Sequence, residues 1–138
     1  MKKTVLASLA GAITGFMYGW VVYGMLLMGY MQSNMTDYPG LMKEESVAQI
    51  LGYFVSNFAS ALLLTLVFSR WANISTPMAG LKTGALFGVL IAVGIDVMFM
   101  TSMNLYTTQS LIVDIIAGTG MWAATGAVCA WVLGKVKD

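Results

Sequence analysis

The sequence predicts an all-α membrane protein, an antiparallel bundle of four transmembrane helices in a single domain spanning residues 1–138. Three observations carry this. The chain is 59% hydrophobic and only 9% charged, and a globular domain of this length has too high a surface-to-volume ratio to hide that much apolar surface from water. Its apolar residues fall in four runs, each near the roughly 20 residues of helix that a bilayer core requires. Its basic residues gather on one side of those runs.

The predicted spans cover residues 5–31, 48–69, 80–102 and 110–134. The first follows Lys2 and Lys3 and carries Ala7, Gly11, Gly15 and Gly19 on one helical stripe. The second opens after Ser46, with Gln49 three residues on as a weak capping box, and carries Gly52, Ser56 and Ser60. The third carries Gly80, Gly84, Gly88 and Ala92, and the next position on that stripe is Asp96. The fourth runs Asp114, Gly118, Trp122, Gly126, Ala130 and Gly134. Helices in lipid associate through close packing at small residues, so each stripe is expected to face a neighbouring helix. The connections hold the turn signals Pro39-Gly40 and Pro77.

Charge sets a direction. Lys2, Lys3, Arg70, Lys82, Lys135 and Lys137 fall on one side, and Lys43 on the other beside Asp37, Glu44 and Glu45. The positive-inside rule then predicts both termini in the cytoplasm. Trp71 and Trp131 match an inner aromatic belt, and Tyr30, Tyr38 and Tyr106 an outer one. Lys2-Lys3 and Ala10-Gly11-Ala12 resemble a signal peptide, but the apolar run continues to Met31 without a polar start, so a retained span is expected.

Composition narrows the chemistry. There is no His, one Cys and a net charge of +1, which removes the usual neutral-pH acid–base group, any cysteine-cluster metal site and a field that would draw nucleic acid. No nucleophile–base pair or phosphate-cradling loop stands out. The expectation is a non-enzymatic protein without a cofactor, its partners being membrane lipids, further copies of itself or a larger membrane complex.

Asp96 and Asp114 are the exception to an apolar interior. A charged side chain at the centre of a spanning helix costs roughly 2.5–3.5 kcal/mol on insertion scales, so such residues mark sites or buried contacts. With a rise of about 1.5 Å per residue, Asp96 lies about 21 Å from the level of Lys82, and Asp114 about 6 Å from the outer start of its predicted span. Both fall in the outer half of the membrane, at heights shared by Asn57, Trp20 and Tyr23. A polar cluster of Trp20, Tyr23, Asn57, Asp96 and Asp114 is therefore expected. Two readings follow. The carboxyls hydrogen-bond the helices together, at about 0.6–2 kcal/mol per bond, or they form a proton or cation site in a small coupled carrier. Small multidrug-type carriers pair antiparallel copies, which the one-sided Lys and Arg distribution disfavours. A lesser alternative is Cu(I) held by the thioethers of Met25, Met28 and Met31 at i, i+3 spacing, against the ordinary role of Met as apolar filler.

Gly19-Trp20-Val21-Val22-Tyr23-Gly24, Gly84-Ala85-Leu86-Phe87-Gly88 and the acid early in the fourth span resemble a group of small four-helix bacterial membrane proteins of unknown function. The resemblance covers most of the chain. It implies the four-span fold and a bacterial inner membrane, and no activity.

Overall fold

Helix boundaries follow from caps and from two widened turns. The computed structural model describes residues 1–136; Lys137, expected on the cytoplasmic side, lies outside the described residues. The helices are α1 (Lys2–Val21), α2 (Met28–Asn34), α3 (Val47–Leu66), α4 (Pro77–Ser102) and α5 (Thr108–Lys135). π-helical turns extend α1 through Val22–Leu26 and α3 through Val67–Ala72. Four stretches are long and apolar enough to cross a membrane: Lys2–Leu26, Val47–Ala72, Pro77–Ser102 and Thr108–Lys135.

The differences from the predicted boundaries have local causes. Pro77 opens α4 instead of sitting in a loop, because proline suits the first helical turn and the Thr76 hydroxyl caps it by accepting from the Ala79 amide. Ser46 caps α3 through the Gln49 amide, but the Gln49 side chain donates to the Tyr53 hydroxyl at 2.9 Å, so only half of the capping box forms. A complete reciprocal box, Thr107 with Ser110, opens α5. The first long helix is not continuous to Met31: after the π-helical turn it breaks at Leu27, and α2 resumes on the far side. The Pro39-Gly40 turn is present, with Gly40 at φ 77, a conformation that suits glycine.

Packing centres on α5. Its contacts with α4 climb one helix as they descend the other. A side chain at Gly80 would collide with Gly126 and Ala130, one at Gly84 with the Trp122 backbone, and one at Gly88 with Trp122 and Thr119. Farther along, Gly118 faces Ala92. The opposite flank of α5 receives α1: Gly11 lies against Cys129, Gly15 against Thr125 and Gly120 against the Tyr18 ring. α3 joins through Ala61 at Gly11 and Asn57 at Gly15. Ala12, Ala61, Leu64, Phe68, Cys129 and Ala130 form a core where α1, α3 and α5 converge. The Cys129 thiol there donates to the Ala7 carbonyl at 3.5 Å. Lys3, Ser69, Asn73, Ser75 and Leu133 border one surface hollow, so the start of α1 and the ends of α3 and α5 share one end of the molecule.

The small-residue stripe of α3 departs from expectation. Gly52 and Ser56 are exposed, and nothing from elsewhere in the chain lies within 4 Å of where a Gly52 side chain would begin. Spacing marks a stripe as fit for close packing, but whether the same chain fills it depends on how the helix tilts.

The glycine contacts give a direct test. Gly84→Leu drives a side chain into the main chain of Trp122 and is expected to destabilise the protein by at least the 1–3 kcal/mol typical of overpacking. Gly94, whose side-chain position is open within 4 Å, is the control. Gly94→Leu is expected to leave denaturant unfolding in detergent micelles nearly unchanged, and equal losses in both variants would contradict the packing described.

Candidate functional site

The spacing that packs α4 on α5 also delivers the acids to each other. Asp96 extends the Gly84–Gly88–Ala92 stripe, and Asp114 lies one turn beyond Gly118, the residue that faces Ala92. The Asp96 side chain is 6% exposed. Its carboxyl lies within hydrogen-bonding reach of Asp114, yet its Oδ2 receives no hydrogen bond from any donor among the described residues. Asp114 is half-buried. Two carboxylates in contact cannot both stay ionised cheaply in apolar surroundings, so the pair is suited to sharing a proton or holding another cation.

Tyr23 completes the inner wall. Its hydroxyl approaches the Asp114 carboxyl and donates to the Asp114 main-chain oxygen at 3.3 Å. Tyr23 sits in the π-helical turn of Val22–Leu26. Such a turn widens the helix by one residue and re-aims the side chains on it. On the loop side stands Tyr106, which feels the charges of Asp114 and Asp96. Sequence reasoning assigned Tyr106 only to an aromatic belt. A short bridge pairs Tyr106 with Met35, and the Thr36 amide donates to the Leu105 carbonyl at 3.0 Å, so the two loops are tied together at this end.

Two residues expected in the cluster stand elsewhere. Trp20 is 62% exposed and lies along its own helix over Gly24. Successive residues are about 100° apart on a helix, so with Gly19 turned inward Trp20 points out; equal height did not mean equal face. Asn57 lies deeper, with its side-chain oxygen against Gly15 near Thr125 and its amide donating to the Tyr53 carbonyl at 2.8 Å. It forms a separate polar level below the acids. The methionine stripe is also interrupted. Met25 is 69% exposed in the π-helical turn, and the break at Leu27 separates it from Met28 and Met31 on α2. Those three thioethers are therefore not stacked by one continuous helix.

In comparisons with protein-family models, curated proteins and solved structures, nothing matches this chain.

Tyr106 reports on the site from outside the apolar helices. Burial first, then the charges of Asp114 and Asp96, push its phenol above the ordinary value of 10.0. Folding thus favours the neutral phenol: this stabilisation is whole below about pH 10 and is lost as pH rises from there through the folded value. The difference in phenolate absorbance between the protein and Tyr106→Phe is expected to titrate above pH 10, and Asp114→Asn to lower that midpoint. A midpoint at or below the ordinary value would contradict the placement of Tyr106.

Proposed function

We propose that this chain is a multi-pass protein of the bacterial inner membrane, an antiparallel four-span bundle with both termini in the cytoplasm. Its role is non-enzymatic: an accessory or structural bundle that self-associates or joins a larger membrane complex. Four helices of spanning length and apolarity support the membrane setting. The concentration of Lys2, Lys3, Arg70, Lys82 and Lys135 opposite Lys43 supports the direction.

The observation that carries the accessory role is the outward stripe of α3. Gly80, Gly84, Gly88 and Gly126 are consumed by contacts within the chain, whereas Gly52 and Ser56 face away from it. Val47, Ile50, Leu51, Tyr53 and Val55 around them are all exposed. Beside Gly52 lies a groove of about 340 Å³ bordered by Lys43, Ser46, Ala48, Gln49 and Tyr53. Small residues let two helix backbones approach closely in lipid, and polar side chains such as Gln49 gain hydrogen bonds there that lipid cannot offer. The acid pair in this reading is an internal fastener, a shared proton joining α4 to α5 while Tyr23 ties α1 to the same point. A second reading, a small proton- or cation-coupled carrier, is favoured by the contact between Asp96 and Asp114.

Native mass spectrometry in mild detergent tests the accessory role. The protein is expected as a homo-oligomer or with stoichiometric further subunits, and Gly52→Leu, harmless to the isolated chain, is expected to dissociate it. A monomer under conditions that preserve other membrane complexes, with Gly52→Leu indistinguishable from it, would refute the role.

A further inference from the structure

We propose that Asp96 and Asp114 form an exchangeable site for one small monovalent cation of the sodium type, bound in place of the proton that otherwise joins them. This deepens the carrier reading by naming the ion, and it rests on the same acid contact without requiring transport.

The oxygen atoms point to this ligand. Asp96 is more than nine-tenths buried, and its unpartnered Oδ2 is the atom the pair leaves unsatisfied. The Asp114 carboxyl lies within hydrogen-bonding reach of the Asp96 carboxyl, and the Tyr23 hydroxyl donates to the Asp114 main-chain oxygen at 3.3 Å. All are hard oxygen donors, and there is no His in the chain and no group of three or more His, Cys, Asp or Glu among the described residues that would suit a transition metal. Calcium takes six to eight oxygen ligands and magnesium a near-ideal octahedron; this set is small, and a side chain at Gly118 would lie within 4 Å of both the Tyr23 hydroxyl and Ala92. A monovalent ion fits it better.

Charge gives the same answer. With one proton between them, the two carboxyls carry a single negative charge. Releasing that proton to water and admitting one sodium ion leaves the site at the same charge, so the exchange adds no net charge to an apolar environment. Around the pair, the first long helix presents Tyr23, on which Tyr18 also acts, and the loop before α5 presents Tyr106. α4 and α5 contribute the acids themselves, and no group of α3 is among those acting on Asp96. Among the described residues no cation acts on Asp96. Asp114 is half-buried, so the pair is not sealed off from its surroundings.

Two measurements on the full-length protein in detergent micelles test this. Replacing choline chloride by sodium chloride at matched ionic strength is expected to raise the melting temperature. The sodium concentration needed for half of that rise should fall about tenfold for each unit increase in pH while the shared proton is the competitor. Adding sodium to lightly buffered protein should release one proton per chain, read with a pH dye; this needs no variant. Asp96→Asn and Asp114→Asn, each checked for retained helix by circular dichroism, should abolish both signals. No proton release and no pH-dependent sodium effect would overturn the proposal, as would a response confined to calcium or magnesium, or a sodium response surviving Asp96→Asn. Sodium binding without sodium- or proton-coupled flux in liposomes would sustain the site and refute the carrier.

Discussion

The close approach of α4 to α5 is the constraint on which the rest depends. Side chains at Gly80, Gly84 or Gly126 would meet main-chain atoms of the facing helix, so the two backbones pack at a distance only glycine permits. That contact sets the axial register between the helices. Two turns beyond Gly88 it brings Asp96 against Asp114, and a one-turn slip would part the two acids. In the lipid setting proposed for the chain, where helix association draws on packing and hydrogen bonds more than on burial, these two kinds of contact reinforce each other.

Around that hairpin the architecture is uneven. Toward the end formed by Lys3, Ser69 and Leu133, three helices converge on Phe68, Leu64 and Cys129. At the opposite end α3 rises largely alone, with Val47, Ile50 and Leu51 uncovered. The tight region holds the fold, and the open one leaves apolar and small-residue surface for further helices or lipid. The acid pair lies at the end where α3 has least contact, and the helix that supplies Tyr23 does so from a π-helical turn, a feature common at functional positions.

Much of this was legible in the residues. The four-residue spacing of Gly80, Gly84, Gly88, Ala92 and Asp96, and of Asp114, Gly118, Trp122 and Gly126, placed both acids on small-residue faces turned toward neighbouring helices, the faces along which α4 and α5 pack. What was not legible has physical reasons. Depth is a one-dimensional coordinate: it selected Trp20 and Asn57 along with Tyr23, while helical phase turns Trp20 outward and sets Asn57 against Gly15. The π-helical turns and the break at Leu27 shift phase without a proline to announce them. Tyr106 enters the site through a loop pairing with Met35 that has no sequence signature.

The central claim is that two facing acids share one proton inside an apolar helical core. The most direct test is the infrared carbonyl band of a protonated carboxyl in the sodium-free protein at neutral pH. The account predicts that band in the native protein, its loss in Asp96→Asn, where only the half-buried Asp114 remains, and its displacement in Asp114→Asn, where burial keeps the Asp96 proton but its partner has changed. No such band at neutral pH, or a band left unchanged by both single substitutions, would contradict it.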